Sequence, residues 1–330
     1  MKSVQFGATR FRIPRIGLGT AAIGRPGYIN LGHDEDFANG RDLEAMHKRT
    51  HRLLSEAYRF GVRYFDTARS YGEGERFLGQ WLDNLNSRDV IMTGSKWGYT
   101  YVADWKVDVD KHEVKDHSVE LLNKQWEESQ ANMSYFLSIY HIHSATLETG
   151  VLDNKAVLDR LYEIKQKGIL IGLSVSGAQQ GEVIEKARKI KVNGEALFES
   201  IQVTWNVFES STSEQLKLAA EQGMGVIIKE AVANGRLTDR NKENTDQEKL
   251  KVIKSIAISH DVGIDAIAMA YALAQPWNPI VLSGASTSDQ LLSNLRADQV
   301  QLSISDFNSL NQLAETSAEY WDSRAALVWN

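Results

Sequence analysis

The stretch G-V-R-Y-F-D-T-A-R-S-Y-G-E-G-E-R-F-L-G, Gly61 to Gly79, decides how the rest of the chain is read. Its alternating, β-prone run from Val62 to Phe65 predicts a short strand that ends at Asp66. A helix is predicted to begin near Glu73, with acidic residues in its first turn and Phe77, Leu78 and Trp81 as its apolar stripe. Asp66 and Tyr71 then share a tight strand-to-helix loop. A strand ending in a carboxylate, followed by a phenol on the next loop, is the layout of a site at the carboxyl end of a parallel sheet.

Working outward, strands and helices alternate on both sides. Upstream, Val4 to Phe6 and Arg10 to Ile13 read as a hairpin around Gly7-Ala8-Thr9. Ile16 to Gly19 is a buried strand that opens into G-L-G-T-A-A-I-G, followed by an irregular loop from Arg25 to Gly40 and a helix from Leu43 to Phe60. The glycine spacing does not fit G-x-G-x-x-G leading into a helix, so a dinucleotide fold of that kind is rejected. Downstream, strands are predicted at 89–95, 135–143, 169–175, 201–204, 225–228 and 280–283. Helices are predicted near 73–85, 116–131, 153–166, 179–190, 212–222, 248–259, 264–274 and 288–296. Counted from Ile16, every strand is followed by a helix, and no low-complexity linker divides the chain. This series fits one closed parallel barrel better than an open doubly wound sheet, because no reversal of strand order is signalled.

Composition narrows the function classes. With 330 residues and 42% hydrophobic content the chain can build a sizeable core, and α/β barrels of this size form single domains. A net charge of −6, with no cluster of Lys and Arg, argues against a nucleic-acid surface. The absence of cysteine excludes disulfides and thiolate chemistry. No apolar signal core opens the chain, and no run approaches the ~18 apolar residues of a membrane span. The expectation is a soluble, cytoplasmic protein without membrane attachment.

The segment Gly61–Glu75 closely resembles the signature of the aldo-keto reductases, G-x-R-x-F-D-T-A-x-x-Y-G-x-x-E, at every fixed position. The resemblance continues at S-K-W (Ser95 to Trp97), Y-H-I-H (Tyr140 to His143), I-G-L-S (Ile171 to Ser174), Q-V-T-W-N (Gln202 to Asn206) and G-A-S-T-S-D-Q-L-L-S-N-L (Gly284 to Leu295), in the family's order. It implies an α/β fold, a (β/α)8 TIM barrel over residues 1–330 as one domain, with an N-terminal β-hairpin and extra C-terminal helices. Closure of the barrel rests partly on this resemblance, since periodicity cannot show it.

In a closed barrel the carboxyl ends of the strands share one rim, where barrel enzymes place their sites. Asp66 ends the second strand, Tyr71 follows it, Lys96 ends the third and His143 ends the fourth. These match the family's catalytic tetrad. A phenol with a reference pKa of ~10 donates poorly near neutrality unless a cation favours its phenolate, and Lys96, held by Asp66, can supply that charge. His143 can hydrogen-bond a substrate carbonyl and, with Tyr71, stabilise the developing oxyanion. None of the four carries a hydride, so a nicotinamide is required. Each residue also has a plainer role: Asp66 a helix cap, Tyr71 a loop aromatic, Lys96 a solvated charge, His143 a core histidine. His141 lies on the same strand face and is expected to be buried packing.

The resemblance further implies cofactor contacts from Gly19, Thr20, Ala21 and Asp66, and from Ser174 and Gln202 at the nicotinamide carboxamide. The asparagine often found after that serine is Val175 here. Where many members stack an aromatic ring on the nicotinamide, this chain has Lys229, either a phosphate or cofactor contact or an ion-pair partner of Glu230. The A-N-G-R-L loop around Gly235 fits a backbone-lined pyrophosphate site. Gly284, Ser286, Thr287, Gln290 and Asn294 precede or open a helix whose free N–H groups attract an anion, although Ser288 could be a plain cap. Ser283 to Gln290 contains no cation and does contain Asp289, and Arg296 lies beyond it. The resemblance implies NADP(H), which the family as a whole favours, and the missing cation reduces this to a modest discrimination over NAD(H). Tyr28, Trp97 and Trp105 are the expected substrate contacts, within aromatic-rich segments that include Tyr99, Tyr101 and the tail residues Tyr320, Trp321 and Trp329; Arg324 could meet an acidic substrate.

The function implied is reduction of an aldehyde or ketone to an alcohol by hydride transfer, with a small-molecule carbonyl or sugar as the substrate partner. Two alternatives stay open: a sugar or alcohol dehydrogenase working oxidatively, and a nicotinamide-binding regulatory subunit like the potassium-channel β subunits that resemble this family. The latter usually carry an added N-terminal region, for which the hairpin at Val4 leaves no room.

Overall fold

The structure, a computed structural model, describes residues 1–37, 40–87 and 89–330; positions 38 and 39 of the predicted 25–40 loop lie outside these. In chain order the elements are β1 (Ser3–Gln5), β2 (Arg12–Pro14), β3 (Ile16–Gly19), α1 (Leu43–Arg59), β4 (Tyr64–Asp66), α2 (Gly74–Asp83), β5 (Met92–Trp97), β6 (Tyr99–Tyr101), β7 (Glu113–Lys115) and α3 (Val119–Met133). Then follow β8 (Ile139–Ala145), α4 (Lys155–Lys165), β9 (Leu170–Val175), α5 (Gln180–Ala187), β10 (Lys191–Val192), β11 (Glu195–Ala196), β12 (Ser200–Thr204) and α6 (Ser213–Glu221). The chain ends with β13 (Gly225–Lys229), α7 (Gln247–Ser259), α8 (Ile264–Leu273), β14 (Ile280–Ser283), α9 (Ser288–Leu295), α10 (Ile304–Asn311) and α11 (Ser317–Ala325).

Eight of these strands close a parallel barrel in the order β3-β4-β5-β8-β9-β12-β13-β14, with β14 pairing back onto β3. Barrel strands are covered by helices outside and by one another's side chains inside, so they read as apolar runs rather than half-polar ones. The β1–β2 hairpin plugs the amino-terminal end. Phe6, Phe11 and Ile13 pack with the inward residues Tyr64, Met92, Ile139, Ile227 and Ile280. That floor makes the opposite rim the open one.

The signature stretch is anchored from behind. Glu75, in the first turn of α2, is 1% exposed and accepts from Ser95 Oγ at 2.5 Å, Ser129 Oγ at 2.7 Å and Arg69 Nη1 at 2.8 Å. One buried carboxylate thus ties α2 to β5 and α3, with its charge compensated by Arg69. Gly79 lets α2 and α3 touch, since a Cβ there would fall 1.9 Å from the Asn132 carbonyl oxygen.

The structure shifts two predicted strands. The third runs Met92–Trp97 rather than 89–95, and the fourth Ile139–Ala145 rather than 135–143. Residues Ser134–Phe136 form a 3-10 turn instead, with Ser134 at a φ of 48° and Tyr135 81% exposed. An aromatic pair on a turn imitates the start of a strand. Two hairpins, β6–β7 and β10–β11, lie in segments read as connections. The C-terminal helices α10 and α11 each begin with a capping box, Ser303 with Asp306 and Thr316 with Glu319. Among the described residues no single helix is long and apolar enough to cross a membrane.

Candidate active site

Asp66 is the last residue of β4, and Lys96 lies near the end of the neighbouring β5. Both side chains are buried and form an ion pair. Burying two charges costs several kcal/mol per ion unless every remaining lone pair and proton finds a partner. Here they do. Asp66 Oδ1 also accepts from Tyr64 Oη at 3.0 Å and Gln202 Nε2 at 2.8 Å, while Lys96 Nζ also donates to the Thr67 carbonyl at 2.8 Å. Residues from three strands and the loop after β4 therefore meet at one charge pair.

Tyr71 stands above that pair, with Lys96 Nζ 4.9 Å from its ring centroid. Its ring meets His143 edge-on at 5.5 Å, and Tyr99 meets the other side of His143 at 4.9 Å. The aim of His143 has a local cause. β8 breaks register between Ile142 and Ala145, and Ser144 adopts a φ of 49°. Such a bulge turns the residue beside it out of the regular alternation. His141 is fully buried, bonds Ser200 Oγ through Nε2 at 2.9 Å, and would collide with any side chain at Gly172.

A cavity of about 390 Å³ opens over these groups. Desolvation pushes the Tyr71 phenol well above its usual range, and the Asp66 charge adds to this while Arg25 opposes it. The net direction is a rise, not the lowering expected beside Lys96, because burial and the Asp66 charge outweigh the nearby cation Arg25. His143 is held well below its usual value by burial first and then by Lys96 and Arg25. The imidazole is neutral, with Nδ1 3.4 Å from Ser70 Oγ. If that hydroxyl donates, the ring proton sits on Nε2.

Of the residues expected at the cofactor, Gly19, Ala21, Asp66, Gln202, Lys229 and Gly284 line this cavity. Gly235, Gly284, Gln290 and Asn294 line a second one of about 250 Å³. Asn30, Val232 and Gly284 border both, so the two form one groove. Among the described residues nothing lies within 4 Å of a Cβ built on Gly284, and the buried Asn234 Oδ1 has no partner. An elongated groove with bare backbone and an unused acceptor fits a dinucleotide. The remaining four are not among the residues lining either cavity. Thr20 donates its backbone N–H to the Asp66 carbonyl at 2.8 Å, Ser174 Oγ accepts from the Ser144 N–H at 2.7 Å, Ser286 is buried, and Thr287 caps α9.

Several expectations about the rim are corrected. Trp97 is fully buried against His117, and Trp105 donates its indole N–H to the Arg41 carbonyl at 2.7 Å, so neither lines the cavity. The chain reverses at Gly98, where φ is 109°, and the following hairpin presents Tyr99 instead. Tyr28 does line the cavity and pairs its backbone with Asn330. Lys229 donates to Thr204 Oγ1 at 2.6 Å rather than to Glu230; desolvation lowers its pKa to about 8. Arg324 is occupied by Glu230, its Nη2 2.6 Å from the carboxylate, so it does not wait for an acidic substrate. Arg296 bonds Asp261, away from the groove.

Sequence reading missed the Arg25–Glu113 pair. Arg25 is 2% exposed, bonds Glu113 at 2.6 Å, and lies 5.3 Å from the Tyr71 ring and 4.7 Å from that of Trp329. Its partner is distant in sequence, and only the β6–β7 hairpin brings it near.

Comparison with known proteins agrees with this geometry. The model of the "Aldo/keto reductase family" matches residues 15–315. An uncharacterised oxidoreductase of Bacillus subtilis is 24% identical over 74% of this chain and 80% of its own. The NADH-specific methylglyoxal reductase of Escherichia coli is 25% identical over 96% of this chain and 99% of its own. The holo form of an aldo-keto reductase from Bacillus halodurans superposes with a TM-score of 0.71 at 20% identity, covering 96% of this chain and 97% of that one. A matched signature, a closed eight-stranded barrel and a family model spanning nearly the whole chain converge: this protein belongs to the aldo/keto reductase family.

Proposed function

We propose that the protein reduces a small aldehyde or ketone to an alcohol with a nicotinamide dinucleotide, Tyr71 acting as general acid. The observation that carries this is the buried Asp66–Lys96 pair beneath Tyr71 and His143 at one end of a long groove. A bound reduced nicotinamide supplies the hydride. His143 Nε2–H donates to the carbonyl oxygen and fixes its angle. As that oxygen gains charge, Tyr71 Oη passes its proton to it, and the resulting phenolate faces the Lys96 and Arg25 cations. A phenol raised by desolvation stays protonated near neutrality, the form in which it can act as the acid in reduction.

The family resemblance points to NADP(H), whereas the Escherichia coli relative is named for NADH. The setting we propose is cytoplasmic, with a small-molecule carbonyl or sugar as substrate. The test is turnover of an aldehyde, ketone, sugar and alcohol panel in both directions, with Tyr71→Phe alongside. Reduction of at least one carbonyl, lost in the variant, supports the reading. Turnover of alcohols or sugars only by oxidation would favour a dehydrogenase, and cofactor binding without any turnover a regulatory subunit.

A further inference from the structure

At the end of the groove away from Tyr71, the donors that would hold an anion are already taken by the protein. Residues Asp34–Phe37 form a 3-10 turn in the β3–α1 connection, and Asp36 within it is 8% exposed. Its carboxylate accepts from Ser286 Oγ at 2.6 Å, from Gln290 Nε2 at 3.0 Å to each oxygen, and from Arg240 Nη1 at 3.1 Å. Ser286 and Gln290 flank the start of α9, where sequence reading expects the adenosine phosphate. Arg240 arrives from the β13–α7 connection and also donates to the Gly32 carbonyl at 2.8 Å. Arg49 fastens the same turn by donating to the Asp36 carbonyl at 2.6 Å.

The surrounding charge has one sign. Asp239, Asp265 and Asp289 line the cavity, and Arg240 is the one cation among the described residues lining it. Arg240 is paired with Asp36. Burial pushes the Asp36 carboxyl up, but its bonds to Arg240, Ser286 and Gln290 outweigh that and hold it below its usual range. A 2′-phosphate, with nearly two negative charges, would compete with a fixed carboxylate for the same three donors. Ribose hydroxyls, by contrast, donate to a carboxylate and gain from it.

We infer that Asp36 is a specificity-determining residue that selects NAD(H) over NADP(H) by occupying, from within the chain, the donor set a 2′-phosphate would need. The inference rests on the nicotinamide-dependent reading above and reverses the sequence-based expectation of NADP(H). Arg240 is then a latent phosphate ligand, silenced by its partner.

The experiment is calorimetric titration of the full-length protein with NADH, NADPH, ADP and adenosine 2′,5′-bisphosphate, a readout independent of turnover. Wild type is expected to bind NADH more tightly than NADPH by about tenfold or more. In Asp36→Asn, NADPH and the bisphosphate should gain about tenfold while NADH and ADP gain nothing or weaken. Adding Arg240→Ala to that variant should remove the gain. Should Asp36→Asn fail to fold, Arg240→Ala alone serves: it leaves Asp36 uncompensated, so NADPH should weaken and NADH should not. Wild type preferring NADPH, or an Asp36→Asn variant that shifts both dinucleotides equally, would overturn the inference alone. Failure of every dinucleotide to bind would overturn the nicotinamide reading with it.

Discussion

The two ends of the groove are built on different principles. At the Tyr71 end the central charge pair and its side-chain partners sit on barrel strands, Asp66 and Tyr64 on β4, Lys96 on β5 and Gln202 on β12. At the α9 end they come from three connections far apart in sequence, through Asp36, Arg240 and Ser286 with Gln290. Strand ends are fixed by the barrel ladder and cannot move singly, whereas connections can be exchanged without disturbing it. The first end suits chemistry that tolerates little displacement. The second suits a choice between ligands.

That contrast can be broken by experiment. The largest expected effect is at the Tyr71 end: Lys96→Met leaves Asp66 buried without its cation and should cost ~3–5 kcal/mol in a denaturant titration, along with activity. A stable Lys96→Met protein would mean the pair is not the keystone of that end. Tyr71→Phe removes no buried charge, so turnover should fall ~10²–10⁴-fold at an unchanged melting temperature. Retained turnover with a carbonyl that wild type reduces would dismiss Tyr71 as the acid.

The histidines divide the same way on a smaller scale. His141→Ala strands Ser200 in the core and should cost ~1–3 kcal/mol of stability. His143→Ala should instead suppress carbonyl reduction with little change in melting temperature. The opposite pattern would assign the interior role to His143. The smallest effect belongs to the α9 end, where Ser286→Ala deletes one of several donors to Asp36. It should cost about 0.5–1.5 kcal/mol at most, read as a slightly lower melting temperature. A loss as large as that of Lys96→Met would erase the distinction between the two ends.

Much of the fold and of the Tyr71 end is legible in the sequence because the deciding information is local. Strand, loop and helix in Gly61–Gly79 follow from periodicity and the acidic first turn of the helix, and the family signature on them carries the expectation of a closed barrel. Errors arise where local pattern and packing diverge. Tyr135 and Phe136 look like strand residues but occupy a turn, and Trp97 looks like a pocket aromatic but is core. Gly98 and the β6–β7 hairpin decide that exchange with Tyr99, and no periodicity marks a two-strand excursion so short.

By itself the sequence determined the series of eight strand–helix units, the floor hairpin and the residue types of the signature. Spacing of two and of 3.6 residues is set by backbone geometry and needs no distant partner. Only the tertiary structure decided what those residues touch: that Arg25 meets Glu113, that Arg324 is spent on Glu230, and that Asp36 lies against Arg240 and Ser286. Charge interactions act through space and fall off over a few ångströms, so a partner far along the chain leaves no trace in the sequence around a residue, yet it settles whether that charge is free to bind a ligand.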